Sequence, residues 1–120
     1  MTKVAISAQG KTLDCPGDPR FGRAAGFLVY DLGTETCDYV SNDQNMGLGQ
    51  GAGIQTAQNV AALGASAVIT GHVGPKAFAA LGRGGVKVYY AEPGTARQWI
   101  EAYKAGRLAV ASAPDKEGRW

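Results

Sequence analysis

A short apolar run in the second half of the chain limits the choice of fold more than any other feature. Ala67-Val68-Ile69-Thr70 is continuous rather than alternating, which is typical of a strand buried on both faces of its sheet. Such a strand needs helices on both sides. Residues 51–63 before it and a segment from Pro75 after it both have helical patterns. The sequence therefore predicts an α/β fold.

Three more strands, a last strand and a third helix complete the predicted order. The first strands are short runs bounded by turn and loop residues, and the turn Leu32-Gly33-Thr34 makes the second and third a hairpin. The third helix has the apolar spacing of an amphipathic helix, with Thr95 as its N-cap. The predicted strands are 4–8, 25–31, 36–40, 67–70 and 86–90, and the helices are 51–63, 75–83 and the segment after Thr95.

This order predicts how the sheet is arranged. The first half is expected to pair antiparallel, and the second half to form a parallel unit with a right-handed crossover. The result is a mixed five-stranded sheet with strand order 3-2-1-4-5, flanked by three helices, which is the ribonuclease-H-like arrangement. A chain of 120 residues is one domain. We assign residues 1–106 to it and residues 107–120 to a flexible C-terminal tail.

Composition argues against several classes of protein. A net charge of +2 with scattered basic residues argues against nucleic-acid binding. No segment approaches the ~18 apolar residues of a membrane span, and the apolar stretch near Met1 is too short for a signal peptide. The only two cysteines, Cys15 and Cys37, lie far apart in the sequence, and two thiols cannot form a four-thiolate site. We expect a cytoplasmic monomer with two free thiols, although a disulfide between them is an alternative.

The topology also predicts where a ligand would bind. Ligands of open α/β sheets lie outside the carboxyl ends of strands where the strand order reverses, here between strands 4–8 and 67–70. Three loops meet there, residues 8–10, 42–53 and 71–75, and two of them lead into helix N-termini, which bind anions. Their glycines either gather backbone N–H groups into an anion-binding nest or only make tight turns. These glycines are Gly47, Gly49, Gly51, Gly53, Gly71 and Gly74.

Several side chains in these loops are candidates for contact with a ligand. His72, the only histidine, could ligate a metal, donate a hydrogen bond to a sulfide, or only order its loop. Met46 could give a soft contact or apolar cover. Phe21 could be a lid or ordinary packing. Basic side chains that could offset the charge of an anion are Lys76, Arg20 and Arg23.

Catalytic groups are missing from the expected places. A nuclease of this fold needs a carboxylate on the first strand and others nearby to hold two metals, and residues 4–8 contain none. Asp31 lies at the far end of its strand, and Asp43 is alone in its loop. No nucleophile is paired with His72 in a recognisable motif. We therefore expect no catalysis.

Three stretches carry a resemblance to one family. They are Asp18-Pro-Arg-Phe-Gly-Arg-Ala25, Asn45-Met-Gly-Leu-Gly-Gln-Gly-Ala-Gly-Ile-Gln55 and Thr70-Gly-His-Val-Gly-Pro-Lys-Ala-Phe78. In this order the chain resembles the dinitrogenase iron–molybdenum cofactor biosynthesis family, and within it the branch of small orange proteins of sulfate-reducing bacteria. The likeness extends to about Arg107.

The resemblance implies a ribonuclease-H-like fold without nuclease activity that binds or carries metal–sulfur cofactors. For the orange-protein branch it implies a mixed molybdenum–copper sulfide cluster without cysteine ligation; a related molybdenum or iron–sulfur cofactor is the broader expectation. It also implies partnership with MinD/Mrp-type P-loop ATPases. The candidate site residues are Asn45, Met46, Gly49, Gln50, Gly51, Gly53, Gly71, His72, Val73, Gly74, Pro75 and Lys76, with Arg20 and Phe21.

Two other functions remain open at the level of sequence. The same loops could bind phosphate or a nucleotide, although a Walker lysine–hydroxyl pair is absent. Alternatively, the chain could be a scaffold whose surface contacts an ATPase. A phosphate binder would give no colour with thiomolybdate and copper, whereas a scaffold would tolerate replacement of Gly51 or His72.

Overall fold

Five strands and three helices make up the part of the chain that the computed structural model describes, residues 3–42 and 52–111. None of these helices is long and apolar enough to cross a membrane. The elements are β1 Lys3–Ala8, β2 Gly26–Asp31, β3 Thr36–Ser41, α1 Ala52–Ala62, β4 Ala65–Thr70, α2 Pro75–Arg83, β5 Lys87–Tyr90 and α3 Ala96–Lys104.

The strands form one mixed sheet in the order β3-β2-β1-β4-β5, which confirms the prediction. β1 pairs antiparallel with β2 and parallel with β4, so that Ile6 lies opposite Leu28 on one side and Ile69 on the other. The chain order reverses between β1 and β4. Their carboxyl ends therefore lie side by side, at the edge of the sheet where ligands of such folds bind.

Each face of the sheet carries its own hydrophobic core. α1 and α2 cover one face, where Val68 of β4 packs against Ala57 and Leu81. α3 covers the other face, where Ile69 packs with Trp99 and Ile100. Successive β4 side chains thus enter opposite cores, which explains why this strand is apolar without alternation.

The start of α3 is a complete capping box. Thr95 Oγ1 accepts a hydrogen bond from Gln98 N at 3.1 Å, and Gln98 Oε1 accepts one from Thr95 N at 2.9 Å. Thr95→Ala should lower the free energy of unfolding by about 1 kcal/mol in a urea titration, because the Gln98 N–H group loses its acceptor. Thr34→Ala, in an exposed turn, is the control and should change it by less than about 0.5 kcal/mol.

The segment after α3 continues along the sheet. Val110 forms an antiparallel bridge with Tyr89, and Ala111 N donates to Val88 O at 2.7 Å. Val110 and Ala111, which the sequence assigns to the tail, therefore pair with β5 along its outer edge. Residues 112–120 lie outside the described part, so the flexibility of the tail remains a prediction.

Candidate functional site

A buried polar linkage fixes the loop after β1 to the carboxyl edge of the sheet. Ser7 of β1 and Thr70 of β4 are fully buried, and their hydroxyl oxygens lie 2.8 Å apart. Ser7 Oγ also donates to Asp18 O at 2.6 Å, and Asp18 N donates to Ser7 O at 2.8 Å. Because these polar groups satisfy one another away from water, they hold residue 18 in one position above the strands.

Residues 18–22 then cross the loop between β4 and α2. Arg20 and His72 form an isolated parallel bridge, and Phe21 N donates to His72 O at 3.3 Å. Gly71 lies directly under Pro19, since a Cβ on Gly71 would stand 2.7 Å from Pro19 Cα. Only glycine lets the two backbones approach this closely. The structure thus brings the predicted residues Arg20, Gly71 and His72 together.

The first turns of α1 and α2 are adjacent at the same edge. A Cβ on Gly53 would lie 3.1 Å from the Cβ of Ala77, and one on Gly22 would lie 2.9 Å from Gly53 Cα. The loop that carries Arg20 therefore reaches the start of α1, and α1 begins beside α2. Two helix N-termini, each with a partial positive charge, are close neighbours.

The start of α2 offers N–H groups rather than side-chain oxygens. Gly74 is an extended N-cap without a side-chain cap, Pro75 follows at the first helical position, and Phe78 N donates to Gly74 O at 2.9 Å. The N–H groups of Lys76 and Ala77 precede this bond and have no partner within the helix. Lys76 is exposed, and the first turn has no acidic residue. The chemistry of this helix start suits an anion.

Two of the predicted site residues are part of the core. Phe21 is 2% exposed and meets Phe27 edge-to-face, with ring centroids 5.4 Å apart. Val73 is 1% exposed in the same cluster. The sequence left Phe21 as either a lid or an ordinary packing residue, and its burial fits ordinary packing. These side chains anchor the two crossing loops to the core.

The sequence patterns do not single out Asp18, Ser7 and Thr70, which form the buried linkage. Asp18 is 1% exposed and accepts from Arg20 Nε at 3.3 Å. The sequence does carry a signal for this linkage: Ser7 and Thr70 are polar residues near the carboxyl ends of two otherwise apolar strands. Such residues are buried only where they find hydrogen-bond partners.

The two cysteines form no disulfide. Both pack against the core on the α3 side. Burial raises the pKa of the Cys37 thiol, and the negative charges of Asp38 and Cys15 raise that pKa further. A protonated thiol is a poor metal ligand. Within residues 3–42 and 52–111, no group of three or more His, Cys, Asp or Glu side chains is placed to hold a metal ion.

Five of the predicted site residues come from the loop before α1. Asn45, Met46, Gly49, Gln50 and Gly51 lie outside the described residues, so their place in the site remains a prediction. A cavity of about 290 Å³ opens beside α1, and none of the candidate residues that the structure describes lines it. Its walls are formed by Phe27, Val40, Ser41, Asn42, Thr56, Asn59, Val60, Ala62 and Leu63.

Comparison with known families identifies the group to which this fold and these loops belong. A family model described as dinitrogenase iron-molybdenum cofactor matches residues 2–106. The chain belongs to this family. The match spans every described helix and strand, together with the three stretches that suggested the resemblance.

Solved structures of similar chains share the whole architecture. The apo form of the orange protein from Desulfovibrio gigas is 45% identical, with a TM-score of 0.94 over 97% of this chain and 98% of its own. A putative NifB protein from Thermotoga is 35% identical, with a TM-score of 0.86 over 98% of this chain and 100% of its own.

A relative is also found by sequence alone. An uncharacterised protein of Methanocaldococcus jannaschii is 25% identical over 90% of both chains.

Proposed function

We propose that the chain binds and carries an anionic metal–sulfur cluster of the molybdenum–copper sulfide type and catalyses no reaction. The observation that carries the proposal is the meeting of two helix starts beneath the loop of Arg20, at the point where the strand order reverses. Membership of the family and 45% identity to an orange protein support it. A related molybdenum or iron–sulfur cofactor would use the same edge.

The physical chemistry of such a cluster matches the groups at this edge. The negative charge of a sulfide cluster is spread over large, soft atoms, so backbone N–H donors and apolar contacts can hold it without thiolate bonds. The N–H groups of Lys76 and Ala77 are such donors. Cys37 packs on the α3 side of the sheet, opposite the face covered by α1 and α2, and its thiol pKa is raised. Both facts favour binding of the cluster without cysteine.

The proposal that the protein is not an enzyme rests on missing carboxylates. β1 reads KVAISA and supplies none, whereas two-metal chemistry requires several around one point. Asp18 lies nearby, but its carboxylate is engaged by Arg20. A cytoplasmic location remains a prediction from composition, and a MinD/Mrp-type ATPase as partner remains a prediction from the resemblance.

Titration of the apo-protein with tetrathiomolybdate and copper should produce a saturable visible absorption band that stays with the protein in gel filtration. The variant with Cys15→Ser and Cys37→Ser should give a band of the same intensity, because the proposed donors are backbone amides. Far-UV circular dichroism checks that the variant is folded.

Two results would contradict this proposal. Absence of a protein-dependent band in the folded wild-type protein would remove the cluster-binding function. Loss of the band in the folded cysteine double variant would show that thiolates bind the cluster.

A further inference from the structure

Asp18 is the only charged side chain that is buried among the described residues. Its Oδ1 accepts from the backbone N of Arg20 at 2.9 Å and from Arg20 Nε at 3.3 Å, and its Oδ2 lies 3.5 Å from Arg20 Nη2. A carboxylate is costly to bury unless it is paired and hydrogen-bonded. Arg20 supplies both the charge and the hydrogen bonds, so the two side chains form one unit.

The guanidinium of this pair is still accessible to a ligand. The Arg20 side chain is 55% exposed, whereas that of Asp18 is 1% exposed. Asp18 engages the side of the planar guanidinium formed by Nε and Nη2, so the N–H groups of Nη1 and the second N–H of Nη2 remain for a ligand. An arginine that is fixed in plane presents parallel N–H donors, which is the arrangement that binds anions tightly.

Both ends of the unit are fixed to the proposed site. Asp18 is tied to β1 through both of its hydrogen bonds with Ser7. Arg20 is bridged to His72, and side chains of directly paired residues lie on the same side of a ladder. Arg20 and His72 therefore share one face of the crossing loops, next to the start of α2.

We propose that Asp18 is a positioning residue. It holds the Arg20 guanidinium in place, and that guanidinium is the side chain that donates hydrogen bonds to the anion at the cluster site. This inference rests on the proposed function and adds a specific recognition group to it. The backbone amides give a general attraction for anions, whereas the oriented fork of Arg20 selects anions with two acceptor atoms on one side, such as the sulfides of a thiometallate.

The direction in which Asp18→Asn changes the affinity for tetrathiomolybdate distinguishes a positioning role from a purely electrostatic one. Asp18→Asn removes a negative charge close to the site, so electrostatics alone would make the dianion tetrathiomolybdate bind more tightly. Positioning demands the opposite, because the carboxylate no longer orients the guanidinium. We expect Asp18→Asn to weaken binding about fivefold and Arg20→Gln about tenfold, as for the loss of one charge-assisted contact.

A double-mutant cycle and a matched control complete the experiment. In the Arg20→Gln background, Asp18→Asn should cause no further loss, because it acts only through Arg20. Arg20→Lys keeps the charge without the fork and should weaken binding several-fold. Asp14→Asn removes the carboxylate of a second Nε–Oδ1 pair, Asp14–Arg97 at 2.9 Å, which is exposed on both sides; it should leave affinity within about twofold.

Three results would overturn the inference. They are unchanged or tighter binding in folded Asp18→Asn, additive losses in the double variant, and full affinity in Arg20→Lys. If Asp18→Asn does not fold, Arg20→Lys decides the question.

The positioning of Arg20 is also measurable without any ligand. In nitrogen-15 NMR spectra of the apo-protein, the Nε–H signal of Arg20 should exchange slowly with water in the wild type and quickly in Asp18→Asn, with the Arg97 signal unchanged. Equal exchange in both proteins would overturn the inference. This measurement needs no cluster. If the wild type fails to bind tetrathiomolybdate, the proposed function is wrong, but the NMR experiment still tests whether Asp18 positions Arg20.

Discussion

Replacement of Trp99 by alanine is expected to lower the free energy of unfolding by about 3–5 kcal/mol, the usual loss for a buried tryptophan. Trp99 is 3% exposed, and its Nε1 donates to Glu92 O at 2.8 Å. Its ring lies against Gly17, where a Cβ would stand 2.6 Å from the ring atoms. The substitution therefore opens a cavity and removes the surface on which the loop before Asp18 rests.

Urea unfolding followed by circular dichroism measures this loss, since Trp120 would mix with Trp99 in fluorescence. Trp99→Phe is the control. It keeps a ring in the cavity but loses the bond to Glu92, so it should destabilise the protein clearly less than alanine does. An alanine variant within about 1 kcal/mol of the wild type would mean that the ring does not support this face of the sheet.

The fold could be predicted because the local signals agree with one another. The run at residues 67–70 required a two-sided sheet, and β4 does divide its side chains between two cores. Thr95 was predicted as an N-cap, and it forms a complete capping box. Propensity, pattern and turn chemistry each pointed to the same topology, which is what makes a fold readable from one sequence.

The side chains of the site were harder to predict, because they depend on contacts between distant segments. Residues 71–75 could be placed at the candidate site from topology alone, since the carboxyl ends of β1 and β4 had to meet. The burial of Asp18 could not, because it depends on the loop lying between Ser7 and Arg20. Phe21 gave no periodic pattern that could distinguish a lid from packing.

Gly71→Ala should weaken tetrathiomolybdate binding by at least about tenfold, or about 1.4 kcal/mol, and destabilise the fold by about 1–3 kcal/mol. The backbone of Gly71 lies outside the left-handed region, so the effect comes from a contact alone. The new Cβ would stand 2.7 Å from Pro19 Cα and 2.9 Å from Pro19 O. Backbone atoms cannot rotate away, so the loop carrying Arg20 must lift from the loop of His72.

The same substitution in α2 has the opposite expected sign. Gly82 lies inside the helix, and a Cβ there meets nothing within 4 Å. Gly82→Ala should therefore stabilise the protein by about 0.5–1 kcal/mol and leave binding unchanged. Isothermal titration with tetrathiomolybdate and urea unfolding on both variants test the pair. Wild-type affinity in folded Gly71→Ala would mean that the close approach of the two loops is not needed to hold the anion.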